Sequence, residues 1–421
     1  MPPPDHPSPW EATPPDRWPA PPSDMSVTTL LEIEACPRRW ALMAAPYPTL
    51  WSGRGYPPRI TVASLGGTVV HLAIERITRA FVEAGCSSSA EPAAVQVMRA
   101  LGGYTGILND CIQVVHTRVL SNPRASRIGD QITRSLRAQV PELRSRTQAL
   151  ISTVQVNDGL GAGSQHARPS STGTPALPGA GRAPLTAGAY SELELRVPSL
   201  GWKGRTDLLV LTEKSCHLTD FKTGAMDQAH DFQLQVYALL WSRDSELNPS
   251  GRRADRLTVA YSSGQREVPA PTDVKLQELE REIVERRDAA VSALSRVPPA
   301  ARPTAENCGY CSARQLCGEY WEWQLQSPTG QENNDSFGDL EVTIARRHGP
   351  ASWDATAEAS ARFPRGRAIL LRTSDDLQLR PGQRLRILNA GFGVGLKDEE
   401  PAVVTLGSFS EIFSVTSVPG R

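Results

Sequence analysis

Asp207, Asp220 and Lys222 are the side chains of this sequence whose types and spacing bear most directly on chemistry. They lie in GRTDLLVLTEKSCHLTDFKTGAMDQAHDFQLQVY, Gly204 to Tyr237. Two carboxylates held side by side repel each other unless a cation sits between them. A lysine on the same surface adds an ammonium that can hold a water or a developing negative charge. Together they describe a site for a hard, oxygen-preferring divalent ion.

Positioning these groups needs a hairpin. Leu208–Leu211 is an apolar run, Glu213-Lys214-Ser215 a polar break, and Cys216–Phe221 alternates before Thr223-Gly224. A loop centred on Glu213-Lys214 places Asp207 opposite Asp220, at the roughly 4.5–5.5 Å Cβ separation of paired strands. Lys222 follows Asp220 by two residues and so shares its face. Asp231–Ser242 then reads as a helix too rich in apolar residues to be exposed, with Gln233 and Tyr237 four apart on one side.

The order Asp207, Asp220-Phe221-Lys222, Gln233-x-x-x-Tyr237 resembles the core of the PD-(D/E)XK nuclease superfamily, in particular its RecB-type branch. The resemblance spans about residues 26–325. It implies an α/β core, a mixed sheet flanked by helices as in restriction endonucleases. Asp207, Asp220 and the Phe221 carbonyl would hold Mg²⁺ or Mn²⁺. Lys222 would orient the attacking water, and Gln233 and Tyr237 would support Lys222 or the DNA backbone.

A second helix is expected over Thr61–Ala84, opened by Gly66-Gly67, with Val69, Val70, Ala73, Ile74, Ile77 and Phe81 buried. A lone histidine on a helix is ordinarily structural. GGTVVHLAIE, however, resembles the RecB-type helix that carries a metal-binding histidine, which implies His71 as a ligand. An imidazole nitrogen favours Mn²⁺ somewhat over Mg²⁺. Residues 90–150 read as helical and arginine-rich, including Arg118, Arg127, Arg134, Arg137 and Arg146. This is either a solvated face or a wall of a DNA groove that contacts phosphates without reading sequence. Tyr190–Val197 alternates and should precede the hairpin as a strand, with Glu192, Glu194 and Arg196 read as an exposed polar face. The resemblance also allows an acid upstream of Asp207 to serve the site.

Cys308-x2-Cys311-x5-Cys317 is a second constellation, three ligands where zinc or an iron–sulfur cluster needs four. Cys36, followed by Pro37-Arg38-Arg39, is the distant candidate for the fourth. An early cysteine plus this late triad resembles the iron–sulfur nucleases of the AddB type and the CRISPR-associated RecB-like exonucleases. That likeness implies a [4Fe–4S] cluster on Cys36, Cys308, Cys311 and Cys317, with zinc as the alternative that spacing leaves open. Such a clamp would close a loop of roughly 270 residues, where chain-entropy arguments give large stabilisation. Cys86, Cys111 and Cys216 are read as ordinary buried thiols.

The chain has 421 residues, 45 Lys+Arg against 45 Asp+Glu, and seven cysteines. A balanced charge gives no global field for nucleic acid. The odd cysteine count fits reduced thiols or metal ligands, and no apolar run is long enough to span a membrane, so the cytoplasm is the expected compartment. Residues 1–24 are proline-dense and read as a disordered tail, residues 25–325 as the nuclease domain, and residues 155–188 as a flexible insertion. From Asp335, β-prone stretches (Leu340–Ala345, Arg367–Arg372, Gln383–Asn389, Ala402–Leu406, Ile412–Thr416) suggest a small all-β barrel over 335–421, of the oligonucleotide-binding type. No aromatic ladder of the kind that stacks bases is found in it; Phe392, Phe409 and Phe413 are the only late candidates.

The implied function is a metal-dependent DNA exonuclease acting on single strands or free ends, in repair, phage defence or CRISPR adaptation. The competing class is a non-catalytic DNA-binding or scaffold subunit of a helicase–nuclease complex. No G-x-x-x-x-G-K-[ST] occurs, so a motor would be a separate protein.

Overall fold

The computed structural model describes residues 10–154, 182–326, 336–373, 377–393 and 400–415. The chain divides into two compact units: Pro22–Leu31 with Arg59–Val291, and Met1–Pro21 with Glu32–Pro58 and Ser292–Arg421. This division cuts through the expected 25–325 domain, because Cys36 and the late cysteines pack in a different core from the aspartates.

The first unit is built on a five-stranded sheet. Its strands run, across the sheet and in chain order, Gly188–Val197, Trp202–Leu211, Cys216–Lys222, Arg256–Tyr261 and Gly264–Val268. The first three pair antiparallel, Cys216–Lys222 pairs parallel with Arg256–Tyr261, and the last pairing is antiparallel. The parallel step requires a crossover, which the helix Ala229–Arg243 supplies. Every residue of Leu208–Leu211 is buried, as central strands covered on both faces require. Leu234, Val236, Leu239, Leu240 and Trp241 are buried on the crossover helix, which packs on all five strands; hence its apolar density.

The histidine helix runs Val62–Ala84, and Thr61 caps it in a reciprocal pair with Ser64. Gly66 and Gly67 therefore lie within its first turns rather than opening it. Gly67 is small for a reason: a Cβ there would stand 3.0 Å from Thr223 Oγ1, just after Lys222. Four further helices, Pro92–Ala100, Gly103–Ser121, Gly129–Ala138 and Val140–Ser152, fill the expected helical stretch.

The other unit contains the cysteine-bearing segments and a closed barrel. The barrel strands, first to fifth, are Phe337–Gly349, Ser352–Ala359, Ala368–Arg372, Arg384–Phe392 and Ala402–Thr405. They join in the order first-second-third-fifth-fourth and back to the first, with third and fifth parallel. This is the connectivity of the five-stranded oligonucleotide-binding barrel. Sequence reading missed Ser352–Ala359, whose inward residues after Trp353 are Ala355, Ala357 and Ala359, too small to mark an apolar alternation. In its place it counted the segment near Ile412; the strand Glu411–Ser414 pairs on the outer edge of the fourth barrel strand.

The tail expectation is corrected for residues 10–24. Trp10–Glu11 pairs parallel with Glu411–Ser414, and the Trp10 ring meets Phe413 edge-on, because apolar side chains among the prolines find partners. Residues 1–9 and 155–181 lie outside the described residues; Gly188, at the end of the expected insertion, already belongs to a strand. Of the late aromatics, Phe413 is buried, Phe392 is half-buried with its ring in a T-shaped contact with Phe363, and Phe409 is half-buried.

Candidate active site

Strand register brings the acids together as the hairpin argument requires. The ladder runs Leu211↔Cys216, Val210↔His217, Leu209↔Leu218 and Leu208↔Thr219. At the next position, occupied by Asp207 and Asp220, backbone pairing gives way to a side chain: the Phe221 amide donates to Asp207 Oδ2 at 2.5 Å. The carboxylate thus takes the place of a strand carbonyl, which anchors it at the point where the strands part. What the structure places at Phe221 is this donating amide, and it ties the two acid-bearing strands.

Both acids are buried, Asp207 at 9% and Asp220 at 3% exposure. Burial, then the charge of Asp220, pushes the Asp207 carboxyl well above its ordinary range. Asp220 Oδ2 is buried with no hydrogen-bond partner; Lys222 Nζ lies 2.9 Å away as an ion pair. Lys222 Nζ also donates to Gln233 Oε1 at 2.7 Å, and Gln233 Nε2 donates to Tyr237 Oη at 2.6 Å. The four-residue spacing of Gln233 and Tyr237 is thereby used in full: one side chain holds the lysine and the other holds the glutamine. Tyr237 lies over Gly204, where a Cβ would come 2.7 Å from its ring.

His71 faces the same place. Its Nε2 is 3.6 Å from Asp207 Oδ1, and burial lowers its pKa, so the contact joins a neutral imidazole to a carboxyl. Adjacent ligands of one small divalent ion stand roughly 3–4 Å apart for bond lengths near 2.1 Å. Glu192 completes the group: one ligand atom each from His71, Glu192 and Asp207 lie within 4.8 Å of one another, the only such trio among the described residues.

Glu192 was read as part of an exposed face. It is instead three-quarters or more covered, because its backbone takes the left-handed conformation (φ 53°) between the ladder pairs Ser191↔Leu208 and Leu193↔Thr206, opposite Asp207. Burial raises its pKa to about 7, with nearby Glu75 adding to the effect. Its alternation signal was identical to that of Glu194, whose side chain is exposed and ion-paired with Arg196. No periodicity could have separated them. The donor set, two acids and an imidazole beside the second buried aspartate, fits a Mg²⁺- or Mn²⁺-sized ion.

The arginine wall is only partly at this site. Arg118 lines an open groove with His71, Gly67, Thr68 and Thr223, and Arg146 Nη2 donates to the Thr223 carbonyl. Arg127, Arg134 and Arg137 are exposed on the Gly129–Ala138 helix and the turn before it, and nothing described brings them to the groove.

In the other unit, Cys36, Cys308, Cys311 and Cys317 line one pocket. Four arginines share its walls: Arg38, Arg39, Arg302 and Arg314. Arg38 makes a two-pronged pair with Glu319 at 2.8 and 3.0 Å and donates to the Pro299 carbonyl. Arg314 is paired with Asp339 at 2.5 Å, both side chains only 7% exposed. Asp339 also accepts from Tyr320 Oη at 2.7 Å and from the Asn389 amide at 3.0 Å. Burial raises the Cys308 thiol, the Cys311 thiol to about 11 and the Cys317 thiol to about 12. Cys86, Cys111 and Cys216 are buried elsewhere, as expected.

Among the described residues no helix is long and apolar enough to cross a membrane. No curated protein matches the chain. The crystal structure of SSO0001 is similar to it at 17% sequence identity and a TM-score of 0.21, covering 59% of this chain and 84% of that one. The family model of the PD-(D/E)XK nuclease superfamily matches residues 24–318, a span that contains His71, Glu192, Asp207, Asp220, Lys222 and the Gln233–Tyr237 helix. With that match over more than half its length, the chain belongs to the PD-(D/E)XK nuclease superfamily.

Proposed function

We propose that the chain is a divalent-metal-dependent DNA nuclease acting on single strands or free ends, with Asp207, Asp220, Glu192 and His71 as the metal-holding set. The observation that carries this reading is the buried, mutually repelling pair Asp207 and Asp220, with ligand atoms of His71 and Glu192 gathered beside Asp207. When bound, a divalent ion supplies Lewis acidity at the scissile phosphate and a more acidic water. The chain's own residues do the rest. The Phe221 amide keeps Asp207 aimed, and Gln233, itself held by Tyr237, keeps the Lys222 ammonium beside Asp220. In that position Lys222 can orient a water or hold charge on the phosphate. Arg118 at the groove would meet phosphate without reading bases.

The four-cysteine cavity supports a [4Fe–4S] cluster as the group held in the other unit. Thiolates around a single zinc stand roughly 3.8 Å apart for a Zn–S distance near 2.3 Å. Among the described residues no three of these sulfurs come within 4.8 Å of one another, and Arg39 and Arg302 on the pocket wall would offset part of an anionic cluster's charge. The barrel is suited to hold a single strand, and repair, phage defence or CRISPR adaptation remains the setting the family resemblance suggests.

The test uses anaerobically purified full-length protein with labelled linear single- and double-stranded DNA, in Mg²⁺, Mn²⁺ or EDTA. Metal-dependent degradation abolished by Asp220→Asn is expected, with absorption near 400 nm lost in Cys311→Ser. Wild-type protein that carries its cluster, binds DNA and degrades none of it would establish the scaffold reading instead.

A further inference from the structure

The glutamine helix carries a third polar residue on the face used by Gln233 and Tyr237. His230 precedes Gln233 by three positions, so His230, Gln233 and Tyr237 form one stripe. Gln233 reaches Lys222; His230 reaches the residue beside it. Tyr261 is the ladder partner of Lys222 on the neighbouring parallel strand, and His230 Nδ1 lies 2.8 Å from Tyr261 Oη.

The direction of that hydrogen bond follows from the next contact. Arg266 Nη2, held by Asp231 at 2.6 Å and by the Asp227 carbonyl at 3.0 Å, points at Tyr261 Oη from 3.4 Å. Guanidinium groups only donate, so the tyrosine oxygen receives from Arg266; Tyr261 is buried, and His230 Nδ1 is the acceptor described for its hydroxyl proton, which assigns that proton to the His230 bond. The imidazole proton is then on Nε2, for which no protein partner is described. Burial and the nearby Lys222 ammonium both keep this ring neutral. His230 is half-buried, beyond Lys222 at the strand ends, so its Nε2–H is a fixed donor at the rim of the acidic site.

We propose that His230 Nε2–H donates a hydrogen bond to a backbone phosphate of the DNA strand adjacent to the scissile one, with Tyr261 and Arg266 setting its tautomer. This rests on the nuclease reading above and adds a substrate-contacting residue that the Asp–Asp–Lys arrangement does not include. Asp231 is taken up by Arg266, so it does not stand against an approaching phosphate as a free charge.

The test combines His230→Ala, His230→Gln and Tyr261→Phe with oligonucleotides in which one phosphate at a time is replaced by an uncharged methylphosphonate. Binding is read by fluorescence anisotropy in Ca²⁺ and cleavage by steady-state kinetics in Mn²⁺. His230→Ala should weaken binding and raise KM roughly tenfold with kcat little changed, the scale of one hydrogen bond to a charged acceptor. His230→Gln, which keeps an N–H donor, should recover part of the loss, and Tyr261→Phe should lose a few-fold. One methylphosphonate position should weaken wild type but not His230→Ala. If both proteins respond alike at every position, or if His230→Ala binds as wild type does, the contact does not exist. A wild type that binds with this pattern but cleaves nothing would sink the nuclease reading and leave the contact standing; one that does not bind DNA would sink both.

Discussion

The carboxylate site and the cysteine cavity both gather metal-binding groups, yet they treat charge in opposite ways. Around Asp207 the protein accumulates unbalanced acid: Asp220 and Glu192 raise its pKa together with burial, and the histidine beside it is neutral. Around the cysteines, the charged groups are matched in advance, Arg38 with Glu319 and Arg314 with Asp339. Burial raises the free thiols, but it lowers neither arginine's hold on its acid. A site with more acids than its one lysine can balance is stabilised by whatever ion arrives and can exchange it. A site whose surrounding ion pairs are complete holds its walls in place whether or not the ligand is there.

That contrast can be broken most severely at Asp220. Asp220→Asn should reduce metal-dependent cleavage by roughly a thousandfold or more while leaving thermal stability in EDTA little changed, since the lost repulsion with Asp207 offsets the lost Lys222 ion pair. Cleavage assays and melting curves on one preparation would check both halves; a large loss of stability would contradict the account of that site. The next largest effect is expected in the other unit. Asp339→Asn strands Arg314 in the core and should cost about 3–5 kcal/mol, whereas replacing both partners by apolar residues should cost much less. Denaturant titration of the single and double variants measures the difference.

The comparison sharpens further with pH. Glu192 titrates at about 7 in the folded protein against an ordinary value of 4.5, so the ionised form is disfavoured by folding. In EDTA its contribution to stability is complete at acid pH and is lost as pH rises through about 7. Asp339 is the reverse: its pKa is lowered through Arg314, so its contribution is present at neutral pH and is lost on acidification. Hydrogen exchange followed by mass spectrometry, resolved by peptide, should find the acidic strands loosening toward alkaline pH and the barrel's first strand loosening toward acid. Mn²⁺ should protect the acidic strands more at pH 8 than at pH 6, because binding displaces protons. The smallest effect concerns geometry. Gly204→Ala pushes against the Tyr237 ring, so it should lower kcat a few-fold through Gln233 and Lys222, with metal affinity by calorimetry nearly unchanged.

Much of the acidic site was legible before any coordinates. A short polar break between two apolar runs defines one hairpin register, and that register alone sets Asp207 against Asp220. A spacing of four on a helix likewise commits Gln233 and Tyr237 to one face. Glu192 was not legible, because its role depends on one residue's backbone turning left-handed within a strand of unremarkable alternation. Arg118 and Arg146 stood among several arginines of the same stretch, and only the packing of their helices beside Thr223 separates them from Arg127, Arg134 and Arg137.

By itself the sequence determined the local pairings: which acids oppose each other, which side chains share a helix face, and which cysteines are spaced to act together. These follow from periods of 2 and 3.6 residues, which are properties of the backbone. Tertiary structure alone decided which core each piece joined. It gathered Cys36 with three cysteines far along the chain and the barrel, and it brought His71 and Glu192 to Asp207. Such assignments depend on how buried surfaces fit one another across long loops, and no short-range pattern carries that information.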